Sequence, residues 1–367
     1  MKRNLKSILT LALFGGFILI FCLISVFKPD TKYSYSERRT LADFPSFSFE
    51  DIASGKYISD FEAAAVDQFP ARDFFRSVKA YTLKYVMLNP ANHDIYLKDG
   101  YLSKLEYPLN ESNVKNSLRV LNSVYDDYIK GTDCKTYLSV IPDKNRYLAA
   151  DSLFPTVNYP EFIGRIRDGM TYAEYIDISD RLSIESFYLT DQHWKQEAIV
   201  PVADTILEAL GRESGFAYKE NRLAADFYGA YAAQSALKIK PETILYLTND
   251  ALDACSVTSY STGKARPALL YDLKKGAGRD AYEIFLQGSE PLLVITNPLA
   301  KNDGELIVFR DSFGSSLVPL LIPAYQKITV VDLRYMNRSL LPDFIDFDSQ
   351  DVLFLYSTLI LNNAISQ

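Results

Sequence analysis

Histidine is almost missing from this chain of 367 residues, which has two, His93 and His193. A zinc site wants three or four histidine, cysteine or carboxylate ligands, so this scarcity argues against one, and no metal is expected. Cysteine is nearly as rare. Cys22 lies in an apolar run, and Cys134 and Cys255 are far apart, which excludes a disulfide scaffold and leaves open whether those two pair. No basic cluster stands out beyond the N-terminus, and the formal net charge is -7, so a nucleic-acid partner, which needs a positive face, is not expected. Tryptophan occurs once, at Trp194, beside 26 tyrosines and 22 phenylalanines. Most of these rings are expected in the core, and the excess of tyrosine over tryptophan also suits a polar-lipped groove for a sugar chain.

What is present begins with Lys2, Arg3 and Lys6, then an apolar and small-residue run from Ile8 to Phe27, closed by Lys28-Pro29-Asp30. Such a run reaches across a bilayer core of about 30 Å. A cleavable signal peptide has a shorter apolar region and a small-x-small site, which Ser25-Val26-Phe27 fits poorly. Phe21 before Cys22 argues against a lipid-modified cysteine. Residues 1–30 therefore read as an uncleaved, single-pass anchor. The basic flank places its N-terminus in the cytoplasm and everything from about residue 30 outside. Residues 31–90 read as a helical neck, with Tyr57, Phe61, Ala64 and Ala65, then Phe74, Phe75, Val78, Tyr81, Leu83 and Val86, at helical spacing.

Residues 91–367 read as one large domain. Ile95-Tyr96-Leu97, Lys98-Asp99-Gly100 and Tyr101-Leu102 form a hairpin signal. Helices are expected over Leu118–Tyr128, over Gln196–Leu210 with an irregular first turn at Pro201, and from about Ser315 to Tyr325. Strands are expected at Thr136–Ile141, Ile244–Leu247, Leu306–Phe309, Ile328–Asp332 and Val352–Tyr356, with a strand-like Ser186–Leu189. Consecutive apolar strand residues joined through helices indicate an α/β fold, a parallel sheet covered on both faces. Ligands bind such sheets at the carboxyl ends of strands.

Ser312 occupies that location, on the turn between the Leu306–Phe309 strand and a helix. Its hydroxyl there is exposed at the sheet edge, near helix-start N–H groups that stabilise an oxyanion. The alternative is that Asp311 or Ser312 merely caps the helix. A serine nucleophile needs a base, and of the two histidines His193 has a carboxylate two residues away, in Asp191-Gln192-His193-Trp194. Asp191 can fix the imidazole tautomer and stabilise its protonated form. The plainer readings are a surface loop with an aspartate cap or half of a metal site. His93, in Asn92-His93-Asp94, reads as a solvated loop residue.

The anchor, the strings Ser36-Glu37-Arg38-Arg39-Thr40-Leu41-Ala42, Phe44-Pro45, Asp67-Gln68-Phe69-Pro70-Ala71-Arg72-Asp73 and Pro142-Asp143-Lys144, the Asp-x-His-Trp string, Arg310-Asp311-Ser312-Phe313-Gly314 and Val331-Asp332-Leu333-Arg334-Tyr335 together resemble the DHHW family. That family is similar to the extracytoplasmic alginate O-acetyltransferases (AlgJ/AlgX-like), whose catalytic domain is SGNH-hydrolase-like. The resemblance implies that Ser312 is the nucleophile, His193 the base and Asp191 its orienting acid. Gln192 stands where the family signature has a second histidine. Ordinary SGNH enzymes also have a Gly-Asp-Ser block and a Gly-x-Asn-Asp block; here Arg310 replaces the glycine, and Thr248-Asn249-Asp250 reads as a turn. Gly288, Asn297, Arg310 and Trp194 remain candidates for an oxyanion or substrate contact, after the backbone N–H of Ser312.

These readings converge on an anchored extracytoplasmic O-acetyltransferase acting on hydroxyls of a secreted or cell-wall polysaccharide, with no bound cofactor. Acetyl-CoA is cytoplasmic, and the resemblance implies a multi-spanning MBOAT-type acyltransferase as donor partner. An acetyl esterase using water as acceptor, and a glycan-binding or assembly protein with a vestigial triad, are the competing readings.

Overall fold

A computed structural model describes residues 2–34, 37, 39–89, 91–149, 154–278 and 280–365; Ser36 and Arg38 of the Ser36–Ala42 string lie outside them. The chain divides into two compact units, residues 1–93 with 232–238, and residues 94–231 with 239–367.

The first unit starts with helix α1 (Lys2–Phe27), within which Leu5–Ser25 is long and apolar enough to cross a membrane. Three helices follow: α2 (Phe49–Ala53), whose Ser48 cap accepts the Asp51 N–H, then α3 (Lys56–Asp67) and α4 (Arg72–Tyr85). Two of the sequence strings meet here. Asp67 pairs with Arg39 and accepts the Ala42 N–H at 2.9 Å, and the bond from Arg39 holds its carboxyl below the usual range. Gln68 bonds both the N–H and the carbonyl of Thr31 and donates to Ala42 O. The end of α3 is thereby tied to the extended segment that precedes α2.

In the second unit the hairpin forms as β1 (Ile95–Lys98) and β2 (Tyr101–Lys104), with Asp99 and Gly100 at φ 50° and 85°. That double left-handed turn matches the twist of the flanking strands. Then come α5 (Glu111–Val124), capped by Asn110 and continued by a π-helical turn, β3 (Lys135–Ile141), α6 (Tyr159–Gly169), the short β4 (Glu174–Tyr175) and α7 (Val200–Ala209). The residues before α7 form a 3-10 turn, and Pro201 stands in its first turn, where its missing N–H costs nothing. The chain continues through β5 (Ser256–Ser259), β6 (Arg266–Ala268), β7 (Leu292–Thr296), β8 (Glu305–Arg310), α8 (Gly314–Leu321), β9 (Lys327–Val331), β10 (Asp351–Ser357) and α9 (Thr358–Asn363).

The eight-stranded sheet runs β6-β5-β7-β9-β8-β10-β3-β4. From β9 to β4 all pairs are parallel, as the apolar runs require. The other three strands extend it antiparallel, a mixed edge that the sequence reading did not anticipate. Alternate residues of the central strands enter two cores. Leu306, Val308, Leu353 and Leu355 pack with α7 and α8, whereas Ile307, Phe309, Val352 and Phe354 pack with α5 and α6. Because β3, β8, β9 and β10 point the same way, their carboxyl ends gather the segments after Ile141, Arg310, Val331 and Ser357 at one edge.

Candidate active site

Ser312 follows β8 on this edge, in a turn closed by its own hydrogen bonds. Asp311 Oδ1 accepts the Phe313 N–H at 2.9 Å, its carbonyl accepts the Gly314 N–H at 3.1 Å, and Ser312 O accepts the Ser315 N–H at 3.2 Å. Asp311 Oδ2 takes the N–H and hydroxyl of Ser357 at 2.7 and 2.6 Å, fastening the turn to the end of β10. Asp311 therefore organises the helix start, and the half-buried Ser312 hydroxyl points elsewhere. Gly314 has a contact reason to lack a side chain, since a Cβ there would lie 2.7 Å from Arg310 Cβ.

The partner of that hydroxyl is His193. Its Nε2 lies 2.8 Å from Ser312 Oγ, and its Nδ1 lies 2.6 Å from Asp191 Oδ1, which also accepts the His193 N–H at 3.0 Å. A carboxylate accepts only, so Nδ1 carries the proton, and in the neutral ring Nε2 accepts from the serine. The segment is not the strand expected at Ser186–Leu189. A 3-10 turn over Ile184–Ser186 leads into a tight loop, closed by a bridge between Phe187 and Trp194 and by the Tyr188 N–H on His193 O. That closure puts Asp191 and His193 on one side.

Groups distant in sequence hold the loop, and sequence reading assigned none of them a role. The second Asp191 oxygen accepts the Ala230 N–H at 2.7 Å, and the Gly229 N–H donates to Thr190 Oγ1 at 3.0 Å. Glu242 accepts the N–H groups of Leu189 and Thr190 and the Thr190 hydroxyl. Lys144, in the segment after β3, is fully buried and donates to the carbonyls of Tyr188 and Asp191 at 2.9 and 2.6 Å. Burial lowers its ammonium to about 8. Tyr282 stacks on the imidazole at 3.9 Å and 6°, while its hydroxyl meets Ser316 Oγ at 2.7 Å. The one available signal was the Pro142-Asp143-Lys144 string; isolated Gly229, Glu242 and Tyr282 carry none.

The accessory candidates have partners within the fold. Trp194 is fully buried, its indole N–H shared between Phe313 O and Ser316 Oγ, so it braces the two turns against each other. Arg310 is buried with its guanidinium 3.4 Å from Asp332, Asp311 O and Gly288 O. The N–H of Gly288 is spent on Phe285 O. Asn297 follows β7, which runs antiparallel to β9, so it sits at the opposite edge and bonds Ile322 O and the Leu299 N–H. Of the four N–H groups from Ser312 to Ser315, only that of Ser312 has no acceptor among the described residues. Asn249 caps the helix Asp250–Ala254, and His93 stands in a turn at φ 53°. No cluster of three or more metal-ligating side chains lies among the described residues.

No family model matches the chain, and no curated protein matches it. Solved structures do. A DHHW family protein from Eubacterium siraeum aligns over 74% of this chain and 92% of its own, with TM-score 0.61 at 20% identity. The two share a fold. PatB1 of Bacillus cereus, solved with a sulfonyl adduct, aligns over 74% of this chain and 96% of its own, with TM-score 0.60 at 19% identity. The O-acetyltransferase domain of Pseudomonas putida AlgJ aligns over 73% of this chain and 92% of its own, with TM-score 0.44 at 13% identity.

Proposed function

We propose that this chain is a membrane-anchored, extracytoplasmic serine O-acetyltransferase that esterifies hydroxyls of a secreted or cell-wall polysaccharide. The observation that carries the reading is the Asp191–His193–Ser312 relay, with contacts of 2.6 and 2.8 Å at the carboxyl edge of the sheet. Contacts of this length lie within reach of proton transfer. The family resemblance in the sequence strings supplies the acetyl chemistry and the glycan.

In the first half-reaction Ser312 Oγ attacks the acetyl carbonyl carbon while His193 Nε2 takes the hydroxyl proton. Asp191 holds the imidazolium, and the Ser312 N–H donates to the developing oxyanion. The intermediate collapses to acetyl-serine as the donor's oxygen leaves with the proton from His193. In the second half a sugar hydroxyl gives its proton to His193, its oxygen attacks the acetyl carbon, and the proton returns to Ser312 Oγ. The acetyl donor is an MBOAT-type membrane acyltransferase that passes the group across the bilayer, with α1 keeping this chain beside it.

The test is incubation of the purified full chain in detergent with an activated acetyl ester. Peptide mapping should find one acetyl group, on Ser312, absent in Ser312→Ala; His193→Ala should lose about a thousandfold or more in turnover. An added acceptor oligosaccharide should become acetylated, whereas free acetate at an unchanged rate would assign an esterase. Labelling that survives Ser312→Ala overturns the reading.

A further inference from the structure

Helix α4 carries an apolar stripe that stands exposed among the described residues. Phe74, Val78, Tyr81 and Tyr85 fall at i, i+4, i+7 and i+11, the spacing of a face that ordinarily packs against protein, yet they are 63%, 44%, 37% and 64% exposed. Val86, Met87 and Leu88 prolong it, all exposed, and Ile58 and Phe61 of α3 are exposed as well. An apolar surface of this extent marks an interaction site.

The first unit itself indicates the occupant. The Phe21 ring of α1 stacks on Phe69 at 5.4 Å and meets Phe75 edge-on at 5.7 Å. Phe17, Ile18 and Phe21 face Phe44, Phe61 and Phe69 across a groove of about 720 Å³. Phe17 to Ser25 is the outer end of the candidate span, the part that an inward N-terminus places in the outer leaflet. Neck side chains that touch this part of α1 therefore lie at the depth of lipid. The stripe's own chemistry agrees, with phenylalanine and tyrosine flanked by Lys79 and Lys84, whose stems are long enough to carry their charges back to the headgroups.

We propose that α3 and α4 rest in the outer leaflet of the phospholipid bilayer, alongside α1, with the Phe74–Tyr85 stripe against acyl chains. This rests on the anchored reading given above.

Nitroxide labelling of the full chain in phospholipid vesicles tests it. Phe74→Cys, Val78→Cys and Tyr81→Cys, each with the three native cysteines replaced by serine, are compared for collision with lipid-soluble oxygen and a water-soluble nickel chelate. Labels at Leu13 and at the exposed Lys264 give the lipid and water references. The oxygen-to-nickel ratio at the stripe should be several-fold above that at Lys264 and approach that at Leu13, with Lys79→Cys falling between. Stripe sites that match Lys264 while Leu13 stays lipid-like overturn the proposal and leave the anchor standing. Sites shielded from both reagents overturn it in favour of a protein cover. A water-like Leu13 removes the anchor itself, and the proposal with it.

Discussion

Gly229 has no chemistry of its own, and replacing it with alanine should nonetheless disable the site. A Cβ there would stand 2.3 Å from Thr190 O and 2.4 Å from Asp191 Cβ. Carbon atoms settle at about 3.5–4.0 Å, so one of the two segments must retreat by roughly 1 Å or more. Both choices reach Asp191, because its outer oxygen is held by the next N–H, that of Ala230, at 2.7 Å. Overpacking of this kind costs about 1–3 kcal/mol in stability, a fall of several degrees in Tm for a domain of this size. A displacement of about 1 Å in a catalytic group costs about a hundredfold in rate. With a chromogenic acetyl ester, Gly229→Ala should therefore lose about two orders of magnitude in kcat/KM while remaining folded. Gly164→Ala is the control. Its Cβ meets nothing within 4 Å, on a helix, so activity should hold and stability rise slightly. Gly229→Ala at wild-type activity would refute the claim that this contact positions the aspartate.

Three further outcomes follow from buried polar groups of the second unit. Lys144→Met leaves the carbonyls of Tyr188 and Asp191 without their donor; thermal melts should show a loss of about 1–3 kcal/mol, and steady-state kinetics a lower kcat at similar KM. Tyr282→Phe keeps the ring on His193 and should stay near wild type in rate, whereas Tyr282→Ala should cost about 3–5 kcal/mol and at least about tenfold in turnover. Burial and the nearby Asp143 push the Glu106 carboxyl above its usual range, so the folded state keeps a proton that the unfolded chain has released. Its contribution to stability is present below the ordinary carboxylate range and fades as pH rises; the Tm of Glu106→Gln should change less between about pH 5 and about pH 8 than that of wild type.

The parts of the fold legible in the sequence were those whose local pattern and buried face agree. Leu306–Phe309 and Val352–Tyr356 are continuous apolar runs because both faces of the sheet are covered, and each residue finds a core on one side or the other. In the antiparallel extension Ser256–Ser259 has too little apolar character to announce a strand, whereas Leu292–Thr296 is an apolar run whose direction only the folded sheet shows. The juxtaposition of His193 with Ser312 followed from scarcity, there being so few imidazoles to choose from. Their supports were opaque for the opposite reason. Glu242 acts through its carboxylate and Gly229 and Ala230 through their N–H groups, on partners brought close only by the folded chain, and such contacts leave no spacing to read. Asn297 and Trp194 misled because residue type suggests a donor while only the fold shows where that donor is already engaged.

The solitary tryptophan has a use beyond bracing. Trp194 is the single indole of the chain, and its N–H is bonded to the turn that carries Ser312 while its own backbone follows His193. Selective excitation of that ring gives an emission signal originating at the junction of the two turns. A buried indole emits toward the blue, and any parting of the turns that admits water shifts it to the red. The protein thus contains its own optical gauge of whether the relay is assembled, readable in the wild-type chain without a label.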